Sequence, residues 1–227
     1  MIFVTGDTHG IFTRLNTKNF PIQKKMSKED YVIILGDFGG IWNSQPDKNE
    51  SYWMDWLESK SFTTLFIDGN HENFDRLDQL RIENWMGGNV HIIRPSILHL
   101  MRGQLFTIEN QVIFTFGGAR SHDISDGILE KNDIRLKNSR WMLKHRYNIR
   151  INHLEWWQQE MPSSTEMEEG LNNLNKVNLK VDVILTHCAP TSIQSSINHG
   201  NYMQDALTDY LEKIHNNVKY KSWYFGH

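Results

Sequence analysis

Histidine, aspartate and asparagine side chains follow five short apolar runs along this sequence. These side chains are Asp7 and His9, Asp37, Asn70 and His71, His187, and His227. Carboxylate and amide oxygens mixed with imidazole nitrogens form a ligand set that divalent manganese, iron, zinc or nickel accepts. A single histidine or a single Gly-Asp after a strand is often only structural. Five apolar runs in one chain that each end in such polar residues favour a metal centre instead.

The apolar runs that precede these residues have the length and composition of buried β-strands. They lie at residues 2–5, 31–35 and 65–67, in the segment VDVILTHCAP and in the final segment KYKSWYFGH. Between them, SYWMDWLESK (51–60) places Trp53, Trp56 and Leu57 on one helical face. Alternating strands and helices predict parallel βαβ units, in which ligands bind beyond the carboxyl ends of the strands. The polar residues are therefore expected to meet at one edge of a sheet.

The middle of the chain has a different pattern. Residues 97–118 contain short β-rich runs separated by Arg102-Gly103 and Glu109-Asn110, which predicts an antiparallel meander in a second sheet. The segments INHLEWWQQEMP (151–162) and TEMEEGLNNLNKV (165–177) both favour helices. Thr165 and Glu168 predict a capping box at the start of the second helix. Trp156 and Trp157 are expected in the core.

The length, charge and composition of the chain limit the classes of protein to which it can belong. A chain of 227 residues and 26.8 kDa predicts one domain spanning 1–227. A net charge of −3 argues against nucleic-acid binding through a wholly basic face. The only cysteine, Cys188, is expected to be a small buried thiol, and its isolation indicates a reducing compartment. Without a signal-like N-terminus or an apolar stretch of about 20 residues, we predict a cytoplasmic protein with no membrane partner.

Five motifs together resemble the calcineurin-like metallophosphoesterases. They are DTH (7–9), GDFGG (36–40), GNHE (69–72), THCAP around His187, and GH (226–227). The family pattern is D-x-H, G-D-x-x-D, G-N-H-[DE], a later H, and G-H-x-H, so the resemblance spans almost the whole chain. It implies an α/β fold, a four-layer αββα sandwich of two mixed β-sheets flanked by helices.

The resemblance also implies a metal-dependent phosphoric ester hydrolase with two divalent ions, manganese favoured. The implied ligands are Asp7, His9 and Asp37 for one ion, and Asp37, Asn70, His187 and His227 for the other. Such a pair, about 3.5–4 Å apart, activates a metal-bridging hydroxide that attacks phosphorus. Asp37, which bridges the ions, and His71 are then the catalytic residues. His71 would protonate the leaving oxygen or stabilise phosphoryl charge, or else it only packs behind the ligands.

Two departures from the family pattern stand out. Gly40 occupies the position of the second aspartate of G-D-x-x-D. The motif G-H-x-H is matched only by Gly226 and His227, so the position of its final histidine falls after the last residue of the sequence. The ion held by Asp7, His9 and Asp37 is therefore expected to bind more weakly. These departures leave an alternative open, namely a noncatalytic binding or regulatory protein on the same scaffold with an impaired metal site. Glu72 is expected to orient the site rather than bind metal.

Substrate selection is expected from an insertion around residues 119–165. Its start offers Arg120 and His122 to the mouth of the site, where Asn70 and His71 would also contact a phosphate ester substrate. Residues 135–150 carry six lysines or arginines and no acid, with Trp141 and Tyr147 interleaved. This segment would steer a nucleotide or oligonucleotide, or it is simply a solvated helix face. The sequence does not separate phosphomonoesterase, phosphoprotein phosphatase, cyclic-nucleotide phosphodiesterase and nuclease.

Overall fold

The computed structural model of the protein describes residues 1–200 and 203–227 and contains two mixed β-sheets. The first sheet has the strand order β1 (Ile2–Thr5), β2 (Tyr31–Leu35), β3 (Thr63–Ile67), β6 (Ile97–Leu100), β5 (Gly88–Arg94) and β4 (Ile82–Trp85). The second has the order β12 (Ser222–Phe225), β11 (Val183–Thr186), β8 (Gln111–Phe116) and β7 (Gln104–Ile108). A separate parallel pair consists of β9 (Gly127–Leu129) and β10 (Ile149–Ile151).

The α-helices of the described residues lie between strands along the chain. They are α1 (Lys48–Glu58), α2 (Phe74–Leu77), α3 (Ser139–His145), α4 (Ser164–Lys176), α5 (Thr191–Ile197) and α6 (Ala206–Asn217). The capping box of α4 is formed by Ser163 and Glu166, so the predicted pair of Thr165 and Glu168 was wrong by two residues. Ser163 has an extended backbone that turns its hydroxyl toward the Glu166 N–H, whereas Thr165 already lies in the first helical turn.

Three apolar clusters separate four layers of secondary structure. Val32 and Ile34 of β2 pack with Met54 and Leu57 of α1, on the outer face of the first sheet. The alternate residues of β2, including Ile33, pack against the second sheet. The outer face of the second sheet is covered by residues of α4 and α6. Strand alternation therefore divides each sheet between two cores, and the predicted αββα arrangement of two mixed sheets is confirmed.

The pairing of β6 differs from the sequence-based prediction. Residues 97–118 were expected to form one antiparallel meander, but β6 pairs with β3 in parallel and with β5 in antiparallel, inside the first sheet. Only β7 and β8 form the expected antiparallel pair. All four positions of β6 are buried, which is typical of an inner strand covered on both faces. The turn at Arg102-Gly103 therefore crosses from one sheet to the other.

The insertion also differs from its prediction. Residues 151–162 were expected to be helical, but β10 ends at Ile151 and only Gln158–Glu160 form a short 3-10 helix. Pairing of β10 with β9 takes the start of this segment into a strand, and a long-range pairing of this kind overrides a weak local preference for helix. Trp157 is fully buried, as expected, whereas Trp156 is only partly buried.

Candidate metal centre

The polar residues that follow the strands converge at one end of the two sheets. Ligand atoms of Asp7, Asp37, His187 and His227 lie within 4.8 Å of one another, and ligand atoms of His9, Asp37 and His71 form a second such group. Asp37 belongs to both groups, as a residue that bridges two ions would. The parallel pairing of β1, β2 and β3, together with that of β8, β11 and β12, brings these residues together.

The two groups divide the residues differently from the resemblance. Asp7 Oδ1 lies 3.7 Å from His187 Nδ1, although the resemblance implies that these residues hold different ions. His9 Nε2 lies 3.7 Å from Asp37 Oδ2, and the His9 ring meets His71 edge to face at 4.8 Å. All six implied ligands come from this end of the sheets, and their division between two ions stays a prediction.

Asn70 presents its side chain to the same region. A Cβ atom on the preceding Gly69 would lie 2.1 Å from Asp37 Oδ1 and 2.8 Å from His187 Nε2, which shows how closely this loop approaches the other residues. Asn70 Oδ1 is buried and has no hydrogen-bond partner. Asp7 Oδ1 and His187 Nε2 are buried and unpartnered in the same way. Unpaired buried polar atoms are costly, and three of them among the implied ligands fit residues that hold divalent cations.

The tautomer of His187 suits a ligand. Its ring is fully buried, and Nδ1 lies 2.8 Å from the carbonyl oxygen of Leu35 at the end of β2. Since a carbonyl oxygen only accepts, Nδ1 carries a proton, and in the neutral ring the free lone pair is then on Nε2. A second hydrogen bond that orients the ring in this way is the usual support of a metal-binding histidine.

The turn after β2 depends on unusual backbone conformations. Gly36 has a φ of +91°, and a Cβ atom there would lie 2.0 Å from His187 Nδ1, so only glycine permits this approach. Asp37 and His9 both have a φ of 45°, in the left-handed region that non-glycine residues rarely occupy. Strained backbone of this kind concentrates at functional sites, here at two of the implied ligands.

Burial controls the protonation of the site. Desolvation and the neighbouring His187 lower the pKa of His227 to about 4, although the residue keeps an exposed surface. Burial lowers the pKa of His71 despite the opposing effect of the Asp37 carboxylate. Both rings are therefore neutral at pH 7. For His227, an implied ligand, the neutral imidazole is the form that binds metal. Burial raises the pKa of Asp7, because desolvation disfavours its charged form.

Glu72 supports the turn that carries Asp37. The Glu72 side chain is fully buried, and its carboxylate accepts hydrogen bonds from the backbone N–H groups of Phe38 at 2.7 Å and Gly39 at 3.3 Å. These contacts match the orienting role expected for Glu72 from the sequence. A Cβ atom on Gly40 would lie 2.4 Å from the Phe38 ring, so the packing leaves no room for the aspartate of the family pattern.

A chain of hydrogen bonds links Asn70 to the insertion and was missed by the sequence analysis. The Ser121 N–H and hydroxyl donate to the two carboxylate oxygens of Glu160, at 2.9 and 2.7 Å. Asn70 Nδ2 donates to Ser121 Oγ at 3.4 Å. Ser121 and Glu160 are both buried, and 39 positions separate them in the chain. No local sequence signal would have paired them.

Two cavities flank the candidate centre. One, of about 400 Å³, is lined by His9 and His71 and extends over Trp42 and Trp53. The other, of about 430 Å³, is lined by Arg120 and His122 beside His227. Arg120 and His122 thus lie beside His227, and their contact with a substrate stays a prediction. The aromatic cavity between the first turn and α1 was missed. Cys188 is buried, as the sequence predicted, and burial raises the pKa of its thiol.

The basic segment 135–150 is largely exposed. It comprises a 3-10 helix (Ile134–Lys137), α3 and β10. Arg135 pairs with Asp133 at 2.7 Å, and Arg150 contacts Asp123. The interpretation as a nucleotide-steering surface stays a prediction.

Comparison with known proteins gives one match. A family model described as calcineurin-like phosphoesterase matches residues 1–227. No curated protein and no solved structure matched the chain. Among the residues that the structure describes, no helix combines the length and apolarity of a transmembrane span.

Proposed function

Because the chain belongs to the calcineurin-like phosphoesterase family, we propose that it is a metal-dependent phosphoric ester hydrolase with two divalent ions, manganese favoured. One observation carries the proposal. Three of the implied ligands, Asp7, Asn70 and His187, each hold a buried oxygen or nitrogen atom without a hydrogen-bond partner. Carboxylate, amide and imidazole groups form a suitable donor set for such ions.

We assign the following roles to the residues. Asp7, His9 and Asp37 would hold one ion, and Asp37, Asn70, His187 and His227 the other. When bound, the ions would activate water and neutralise phosphoryl charge. Asp37 suits the bridging position because it is almost fully buried and belongs to both groups of ligand atoms.

His71 is the proposed general acid. Its backbone N–H donates to Asp37 Oδ1 at 2.8 Å, which anchors the residue beside the bridging carboxylate. Its ring lies between His9 and Trp42 and lines the aromatic cavity. From this position, His71 can contact an ester oxygen of a phosphate held over the site and donate a proton to it as the bond to phosphorus breaks.

Arg120 and His122 are proposed to contact the phosphate ester from the opposite cavity. Arg120 is exposed and lines that cavity together with His227. A guanidinium group there would bind a phosphoryl oxygen by charge-assisted hydrogen bonds. The exposed cations of segment 135–150 would add steering for a nucleotide or oligonucleotide substrate. We place this activity in the cytoplasm, where a single reduced thiol is ordinary.

The test is hydrolysis of an activated aryl phosphate monoester and diester after the protein has been loaded with Mn²⁺. Activity should require the metal, because the proposed nucleophile is a hydroxide activated by the two ions. Asp37→Asn should lose most activity and metal binding while its circular dichroism spectrum stays unchanged. Asp55→Asn, at an exposed carboxylate on α1, is the matched control and should behave like the wild type.

Two results would change this proposal. Activity that persists after thorough chelation would contradict a metal mechanism. Binding of two metal ions without hydrolysis of any ester would instead favour a noncatalytic binding or regulatory protein, the function that the glycine at position 40 leaves open.

A further inference from the structure

The cavity beside His71 has the size and shape of a ligand site. Its volume of about 400 Å³ lies in the range of small-molecule pockets. Its lining combines His9 and His71 with residues of the segment 40–53. The cavity therefore starts at the candidate metal centre and leads away from it toward α1.

The walls of this cavity are aromatic and apolar. The Trp42 ring lies nearly parallel to His71, with 5.6 Å between ring centroids and 28° between planes. Trp53 contributes a second indole, and Ile11 is 62% exposed at the rim. Flat rings of this kind bind planar groups by stacking.

The polar groups of the cavity disfavour an anion. The described residues that line it include Asp47 and Glu50 but no lysine or arginine. Arg76 neutralises Glu50 by a bidentate pair with both distances at 2.6 Å. The Asp47 carboxylate accepts hydrogen bonds from the Glu50 N–H and from Asn43, without a cation among these partners. An additional phosphate or carboxylate on a ligand would meet the Asp47 carboxylate, which these partners leave without a cationic side chain.

The proposed role of His71 decides which part of a substrate enters. A general acid must lie within hydrogen-bond reach of the leaving oxygen. The group attached to that oxygen then occupies the cavity that His71 faces. We infer that this cavity binds the leaving group of the phosphate ester, and that this group is aromatic and carries no second negative charge, as in an uncharged nucleoside or an aryl alcohol. This inference rests on the proposed function.

Two matched pairs of substrates test this inference with the metal-loaded full chain. The first pair is 2-naphthylmethyl phosphate and its fully saturated analogue, which differ in aromaticity while both release a primary alcohol. The second pair is 4-carbamoylbenzyl and 4-carboxybenzyl phosphate, which differ in one negative charge. The wild type should favour the aromatic and the uncharged member, each by about three- to tenfold in kcat/KM.

Substitutions in the cavity distinguish a loss of leaving-group recognition from a general loss of folded or active protein. Trp42→Leu should abolish the aromatic preference, whereas Trp42→Phe should retain most of it. Asp47→Asn keeps a good helix cap and should raise the relative activity on the carboxylate substrate. Trp85→Leu, at a partly buried indole that contacts Tyr31 and Phe106 outside the cavity, should leave both ratios unchanged. These ratios do not move if a variant merely loses folded protein.

Equal kcat/KM values within both pairs, or ratios that Trp42→Leu and Asp47→Asn leave unchanged, would overturn the inference while the hydrolase proposal stands. Absence of hydrolysis of all four esters and of the activated aryl phosphate, with both metal ions bound, would overturn both.

Discussion

The position of His71 is set by its backbone and by its neighbours rather than by a hydrogen bond to its ring. The Asp37 carboxylate accepts from its N–H, and its ring contacts His9 edge to face and Trp42 face to face. Burial lowers the pKa of His71, so a nearby charge that stabilises the imidazolium, such as substrate phosphate, would be needed for it to act as an acid near pH 7.

His71→Gln should lower turnover by about 10²–10⁴-fold for esters with poor leaving groups. The loss should shrink as the leaving group improves, because a good leaving group needs little protonation. The measurement is kcat across aryl and alkyl phosphates, with bound metal determined in parallel. His215→Gln, at a histidine that bonds Tyr220 away from the site, serves as the control. An equal loss for all leaving groups would indicate charge stabilisation or packing instead of proton transfer.

Gly40 shows how a single position can be fixed by packing. A Cβ atom there would lie 2.4 Å from Phe38 Cε1 and 2.8 Å from Met54 Cε. The Phe38 ring is fully buried and stacks on Phe66 with 4.1 Å between centroids, so it has little room to move. The family aspartate therefore cannot be restored by substitution alone.

Gly40→Ala should lower the free energy of unfolding by about 1–3 kcal/mol, the usual effect of overpacking a core. Gly40→Asp should cost more, because it also places a carboxylate against apolar side chains. Urea unfolding monitored by tryptophan fluorescence would measure both. A Gly40→Asp protein with wild-type stability and tighter metal binding would show that the local packing adapts.

At the scale of elements, the short 3-10 helix Gln158–Glu160 controls a loop next to the site. Its residue Glu160 accepts from the Ser121 N–H and hydroxyl, just beyond the end of β8. Because this hydroxyl donates to Glu160, Ser121 Oγ can only accept from Asn70. Asn70 must then turn its NH₂ group toward Ser121, which leaves its carbonyl oxygen free for a metal ion.

Glu160→Gln should weaken metal binding by about tenfold, the scale typical of groups that orient ligands. A glutamine offers one acceptor oxygen for the two donors of Ser121, so the hydroxyl can turn and reverse the amide of Asn70. Calorimetric titration with Mn²⁺ would measure the loss, and Thr115→Val, which removes a buried hydroxyl bonded to Met101 away from the site, is the control.

Repeating the Glu160→Gln substitution in an Asn70→Asp variant tests whether Glu160 acts through the orientation of the Asn70 amide. A carboxylate presents an oxygen in either orientation, so Glu160→Gln should have little further effect on metal affinity in that background. An equal loss in both backgrounds would assign Glu160 a general structural role rather than control of the Asn70 amide.

At the scale of the whole molecule, a buried polar network joins the layers. Asp68, at the end of β3, accepts from Arg102 Nε at 2.8 Å and contacts His99 Nε2 at 3.2 Å. Arg102 also donates to the carbonyl oxygen of Gln159 in the insertion. His91 on β5 bonds His99 with 2.9 Å between their Nδ1 atoms. The network therefore connects the first sheet, and the turn that leaves it after β6, to the insertion, and we expect its protonation to affect global stability.

Burial, aided by the adjacent His99, lowers the pKa of His91 to about 4. The unfolded chain, with a histidine pKa of about 6.5, then binds a proton that the folded protein excludes. Stability should therefore fall as the pH falls from about 6.5 to 4, with a contribution from His91 of up to about 1.4 kcal/mol per pH unit. His91→Gln should make this slope shallower. Urea unfolding between pH 7 and 4 checks it, and identical slopes would contradict burial of a neutral His91.

The amino-acid sequence by itself determined much of the fold and indicated the candidate site. The strands at residues 2–5 and 31–35 were predicted with their observed bounds, because each is a continuous apolar run that ends in a Gly-Asp pair. Only the second is fully buried, as expected of an inner parallel strand, whereas the first lies at the sheet edge. The alternation of these strands with helices implied that the polar residues after the strands would meet at one edge of a sheet. The motif GNHE could be recognised because its chemistry lies in adjacent residues.

The tertiary structure alone decided which sheet receives β6, and which residues surround the ligands. The apolar run Ile97–Leu100 satisfies the pattern of a strand in either sheet, and only its pairing with β3 chooses between them. The contact of Glu160 with Ser121 and the stacking of Trp42 on His71 likewise join segments distant in the chain. The local sequence pattern indicates which face of a segment is apolar and can be buried. It does not indicate these long-range contacts, because they depend on how all the layers pack together.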